Sequence, residues 1–179
     1  MVEPENIGEP ENDSARFWRF ALRVYTPEEA RALFLRVQDG AGVDVPLALF
    51  CLWCGSERLA LSEPSMRAAV AFSAAWRRER VAPLRALRRG WKGAPGPFPP
   101  GLSEQARQSV ARAEQAVERL QMDHLAALRE GETEQMPCMR ANLDLYARLA
   151  DLVLEEESLT QLARLLQDQQ DAGSSPGAT

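Results

Sequence analysis

Ten consecutive apolar residues, Val45-Pro46-Leu47-Ala48-Leu49-Phe50-Cys51-Leu52-Trp53-Cys54, follow Asp44 without one polar side chain among them. A run of this kind has no face to offer water, so it belongs at the centre of whatever the chain builds. It falls well short of the ~20 residues that a membrane-spanning helix needs. A buried strand is the alternative for so short a segment, but its Leu and Ala content and the capping Asp44 predict a helix. The remaining residues must then supply layers that cover this element on all sides.

Those layers read as helices. Arg, Ala, Leu, Glu and Gln dominate, Ile occurs once and Thr and Tyr are scarce, so strands have little to be built from. The spacing predicts a first helix over 13–25, with Trp18, Ala21, Leu22 and Tyr25 facing inward and Arg16, Arg19 and Arg23 opposite. Thr26-Pro27-Glu28-Glu29 starts a second, with the Thr26 hydroxyl as cap; it buries Ala30, Leu33, Phe34 and Val37 and stops before Gly40 and Gly42. Ser62-Glu63-Pro64 opens a fourth, which Pro83 should kink or split because it lacks an N–H and crowds the preceding turn. Residues 93–101 hold most of a Pro/Gly segment that reads as a linker.

Beyond it, Ala106, Val110, Ala113, Val117, Leu120 and His124 step by four and three, the spacing of a coiled-coil seam. Met139, Leu143, Tyr146, Ala150 and Val153 repeat the pattern, and Leu159, Leu162 and Leu166 continue it without an evident break. The expected architecture is therefore all-α: one domain over 13–170, with a globular helical bundle (13–92), a linker (93–101) and a C-terminal antiparallel helical hairpin (102–170). Residues 1–12 and 171–179 read as solvated tails.

At 179 residues, 45% hydrophobic and 26% charged, the chain can bury a core without disulfides or metal. Three cysteines cannot pair completely, and the acidic start is unlike a signal peptide, which points to a reduced, cytoplasmic setting. A net charge of −5 argues against DNA coating, and nothing suggests a membrane.

Three segments in order, WRFALRVY (18–25), QDGAGVDVPLALFCLW (38–53) and WRRERVAPLRALRRGWK (76–92), resemble a family of proteobacterial conserved hypothetical proteins, a domain of unknown function. The second half resembles it weakly, through Arg140-Ala141-Asn142-Leu143. The resemblance implies a small, all-helical cytoplasmic protein of a Gram-negative bacterium and supplies no catalytic residues.

Candidate chemistry is sparse. Cys51-Leu52-Trp53-Cys54 is formally a CxxC, but redox pairs sit exposed at a helix N-terminus, and this pair lies inside the most apolar helix, where thiols act as small hydrophobes. Cys51, Cys54, Cys138 and His124 would make one zinc set, but mirror counting across the hairpin keeps Cys138 and His124 apart. His124 has Asn142, Asp144 and Tyr146 opposite it in the same count, and reads as a hydrogen-bonded interface histidine. No metal, cofactor or catalytic residue is expected.

The strongest local signal is electrostatic. From Arg67 to Lys92 eight basic residues face the single acid Glu79, a net +7 that leaves −12 on the remainder. Arg85, Arg88, Arg89 and Lys92 follow i, i+3, i+4, i+7 and, with Arg78, form the candidate partner-binding stripe for an acidic protein surface or RNA. The alternative is internal docking on the chain's own acidic helices. The leading expectation is thus an adaptor, with homo-oligomer formation left open. Its rival is an enzyme or small-molecule-binding protein with a site near the third helix. A pocket holding Asp39, Asp44 or Arg85 with buried polar neighbours would favour the rival; a continuous exposed Arg face without a pocket would favour the adaptor.

Overall fold

The computed structural model describes residues 12–92, 100–133 and 138–164. Their order is α1 (Asp13–Tyr25), α2 (Glu28–Ala41), α3 (Val45–Ser56), β1 (Leu59–Leu61), α4 (Glu63–Trp76), a π-helical turn (Arg77–Val81), α5 (Ala82–Gly90), α6 (Pro100–Ala127), β2 (Gly131–Thr133), α7 (Cys138–Leu149) and α8 (Glu156–Arg164). The fold is all-α, and no helix among the described residues is long and apolar enough to cross a membrane. Residues 1–11 and 171–179 of the expected tails lie outside the described residues, as do 93–99 and Leu166, but Asn12 caps α1, its side chain accepting from the Ala15 N–H at 2.8 Å; Pro100 and Gly101 already belong to the first turn of α6.

The apolar helix occupies the centre. The Asp44 side chain accepts from the Leu47 N–H at 3.0 Å and caps α3, whose residues Leu47 to Gly55 are all buried. Phe17 of α1 stacks on Trp53 at 5.0 Å and meets Phe50 edge-on at 5.9 Å, which fastens α1 to α3. Cys51 and Cys54 are free thiols wholly inside this core, and burial pushes both well above the ordinary thiol range.

Several sequence expectations are corrected here. The α1 face turned to the core is Phe17, Phe20, Ala21 and Val24, while Leu22 stays 49% exposed. Thr26 does not cap α2; its hydroxyl donates back to the Leu22 carbonyl and closes α1, and α2 begins after Pro27 without a side-chain cap. The buried residues of α2 are those anticipated, and Gly42 at φ +74° ends it in the left-handed conformation that glycine adopts without strain. Pro83 interrupts its helix as expected, and the break takes the form of a widened turn without a gap. Ahead of it the backbone widens into the π turn, in which the Ala82 N–H reaches the Arg77 carbonyl five residues back.

The C-terminal half departs most. The main packing partner of α7 is α3, whereas α6 lies along α1 and α5, so the two helices do not pair as the expected hairpin. The buried face of α6 is Glu114, Gln121, Met122, Leu125 and Ala126; in the expected seam, Leu120 is 55% exposed and His124 exposed. A two-stranded antiparallel ladder, unforeseen, sets Leu59 opposite Thr133 and Leu61 opposite Gly131. A Cβ on Gly131 would sit 2.0 Å from the Ala60 oxygen, so only glycine permits this approach. Asp151, at φ +51°, closes α7, with the Leu152 N–H on the Ala147 carbonyl, and this is the break before α8.

Gly55 lets α7 approach α3. A Cβ there would lie 2.4 Å from both Cα and N of Met139, which are backbone atoms and cannot swing aside. Gly55→Ala would ordinarily gain about 1 kcal/mol within a helix. The overpacking cost of about 1–3 kcal/mol should reverse that sign. A lowered urea midpoint at unchanged m-value is the expected result; a raised midpoint would mean that α7 does not bear on α3 in this way.

Candidate cleft between α1, α3, α5 and α6

The side chains that the sequence assigns to the α1 core face have another use. Trp18, Ala21, Leu22 and Tyr25 line a cleft of about 500 Å³, opposite Val45, Pro46 and Leu49 of α3 and Met122 of α6. A second chamber of about 410 Å³ is walled by Asp39 and Gly42 at the end of α2, Arg77 of the π turn, and Arg85 and Arg89 of α5. Gln38 and Arg85 line both. A constriction of about 10 Å³ lined by the same two residues also touches Asp44, Glu118 and Gln121. The result is a two-chambered depression, apolar at one end and arginine-lined at the other, with volumes in the range of small-molecule sites.

The π turn helps shape the basic end. Arg77 donates from Nη1 to the Gly42 carbonyl at 2.7 Å and ties the turn to the end of α2. After it, α5 presents Arg85 and Arg88 to α6. Arg85 donates from Nε to Glu114 at 2.9 Å and from Nη2 to Glu118 at 2.8 Å, and Arg88 Nε takes the other Glu114 oxygen at 2.6 Å. Burial would raise the Glu114 carboxyl, but the hydrogen bonds from Arg88 and Arg85 outweigh it and hold the group below its ordinary range. Glu118 moves the other way: burial raises it, Glu114 and Asp44 add to the rise, and Arg85 only partly opposes.

A buried polar relay backs the constriction. Gln121, 1% exposed, donates from Nε2 to Asp44 at 2.8 Å and to Ser73 Oγ at 3.2 Å. The Tyr146 hydroxyl accepts from the Asp44 N–H at 2.9 Å. Burial pushes the Asp44 carboxyl up, against the Leu47 N–H, Gln121 and the charges of Arg77 and Arg85. Two carboxyl groups therefore border one small cavity, both displaced toward protonation.

The five stripe residues separate. Arg85 and Arg88 are drawn onto α6 with side chains 23% and 32% exposed. Arg78 pairs with its neighbour Glu79 at the surface, and Arg89 and Lys92 are exposed. Asp39, Asp44 and Arg85, the three residues tied above to a pocket, all line the cleft system. The group counted around His124 is not assembled: its ring lies against Phe72 with centroids 3.9 Å apart, Asn142 serves β1, Tyr146 meets Asp44 and Asp144 pairs with Arg140. Among the described residues no group of His, Cys, Asp and Glu could hold a metal ion.

Sequence reasoning misses Glu118, Gln121 and Gln38 as site residues and counts Arg77 only within the basic stretch from Arg67 to Lys92. The signal available for the first two is Glu114-Glu118-Gln121, a polar row at i, i+4, i+7 on one helical face.

The profile of a family described as a protein of unknown function (DUF2390) matches residues 16–125. That span includes both chambers, from Trp18 to Met122, and ends before α7. No curated protein and no solved structure matches the chain.

Proposed function

The chain belongs to this family of proteins of unknown function (DUF2390), and from the cleft that the matched residues build we propose that it binds a small organic molecule between α1, α3, α5 and α6. The observation that carries the reading is the meeting of an apolar chamber and an arginine-lined chamber at Gln38 and Arg85, with the buried Asp44–Gln121–Ser73 relay behind them. Convergent polar groups at the edge of an apolar cavity are what fix a ligand's orientation. The adaptor reading is weaker, because Glu114 and Glu118 neutralise Arg85 and Arg88 and leave Arg78, Arg89 and Lys92 as the exposed part of the stripe.

The test fills the apolar chamber from its rim. Ala116 lines it and is exposed, so Ala116→Trp should shift stability by no more than about 0.5 kcal/mol. Fragments found by ligand-observed NMR on the unmodified protein should lose at least tenfold in affinity for this variant. Fragments that bind both equally, or no fragment at all from a broad set, would sink the proposal.

A further inference from the structure

Resting on that reading of the cleft, we infer that its ligand is an amphipathic anion, with an apolar body in the α1–α3 chamber and a carboxylate or phosphate head on Arg77, Arg85 and Arg89. The two chambers differ in kind. Trp18, Leu22, Val45, Leu49 and Met122 offer the first mainly hydrocarbon and aromatic surface. Leu22, half exposed on its wall, is the sort of side chain that gains most from being covered. Three arginines and one acid, Asp39, line the second chamber; Arg85 is already paired with Glu114 and Glu118, so Arg77 and Arg89 carry its uncompensated charge.

Arg77 and Arg85 are held in place and keep donors in hand. Arg85 spends Nε and Nη2 on Glu114 and Glu118, and Arg77 spends Nη1 on the Gly42 carbonyl. The Nη1 of Arg85 and the Nη2 of Arg77 have no hydrogen-bond partner among the described residues, and Arg89 has no ion pair among them. Guanidinium groups fixed by second partners lose little freedom when they close on an oxyanion, which is how a small anion site gains specificity. A neutral head would offer these donors an uncharged acceptor, weaker than a carboxylate or phosphate oxygen, and a cation would meet like charge. Gln38 and Arg85 line both chambers, so a molecule with its head on the arginines and its body in the apolar space would lie across these two side chains.

Four probes with alkyl tails of seven or eight carbons separate the possibilities: octanoate, octyl phosphate, octan-1-ol and octyltrimethylammonium, titrated calorimetrically below micelle formation. Octanoate or octyl phosphate should bind at least tenfold more tightly than octanol, the tighter of the two naming the head group, and the ammonium probe should not bind. Arg89, exposed and outside the core, can be removed without unfolding the chain. Arg89→Ala should weaken the anion at least fivefold, leave octanol unchanged and be partly rescued by Arg89→Lys, a pattern that lost packing alone would not give. Octanol binding as tightly as octanoate would overturn the anion assignment while leaving the cleft a ligand site. Failure of all four probes, when other fragments still bind and are lost in Ala116→Trp, would overturn it too. Indifference of every ligand to Ala116→Trp, or the absence of any bound ligand, would reach back to the reading on which it rests.

Discussion

Asn142→Leu is expected to lower the unfolding free energy by about 3–5 kcal/mol, since buried hydrogen bonds broken on one side cost about 1–3 kcal/mol each. Asn142 is 1% exposed, and its amide joins three elements at once. Its Oδ1 accepts from the Leu61 N–H at 2.9 Å, and its Nδ2 donates to the carbonyls of Leu59 at 2.9 Å and Cys51 at 3.2 Å. Leu keeps the branched heavy-atom skeleton of Asn, so no cavity is left to account for the loss. Asn142→Asp sharpens the test. The carboxyl keeps the acceptor for Leu61 but turns a second oxygen toward two carbonyls, so its charged form is opposed and its folded pKa rises. Protonation restores a donor. This variant should therefore gain stability relative to the unmodified protein as pH falls from neutrality through that raised pKa toward ~4. Denaturant unfolding at pH 7 and pH 5 checks both changes, and an Asp variant equally weak at the two values would refute the assigned donor geometry.

The same residue shows why part of the fold could be read from sequence and part could not. Asp44 and ten apolar residues suffice to define α3, because capping and complete burial are local properties of that segment. The inward face of α2 is legible for the same reason, having one apolar stripe and no competitor. Helix α1 carries two overlapping stripes, Phe17-Phe20-Val24 and Trp18-Leu22-Tyr25, and both satisfy a period of 3.6. Tertiary packing gives the first to the core and the second to the cleft, which periodicity alone cannot decide. In α6, hydropathy favours Val110, Val117 and Leu120 over Glu114, Glu118 and Gln121. The polar set is nevertheless the one turned toward α5 and α3, because Arg85, Arg88, Asp44 and Ser73 supply partners that are remote in sequence. The ladder between Leu59-Ala60-Leu61 and Gly131-Glu132-Thr133 has no strand signature in either segment. Asn142 and Gly131 make it, one by hydrogen bonds and the other by having no side chain.

Arg85→Glu combined with Arg88→Glu is expected to cost about 3–5 kcal/mol, the scale for breaking a largely buried ion pair and leaving its partner uncompensated. In a chain of this length that corresponds to a fall of roughly 10 °C in Tm. Both arginines converge on Glu114, whose side chain is 9% exposed, and Arg85 also reaches Glu118. Reversal would gather four carboxylates in a space that now balances two guanidinium groups against two acids. Arg78→Glu with Lys92→Glu is the matched control. It changes the net charge equally at exposed positions and should alter stability by about 1 kcal/mol at most. A stripe that served only a macromolecular partner would give small shifts in both pairs, whereas a stripe divided between internal docking and surface gives a large shift in the first alone. Introducing Glu114→Arg and Glu118→Arg into the reversed protein should recover part of the loss, as expected if the cost arises between these side chains. The cleft depends on the same contact, because α5 brings Arg85 and Arg89 to its basic chamber while α6 supplies Met122 and Glu118 to the other walls. Loosening α5 from α6 should therefore abolish ligand binding at temperatures where circular dichroism still reports folded helix; retained binding in the reversed protein would place the ligand elsewhere.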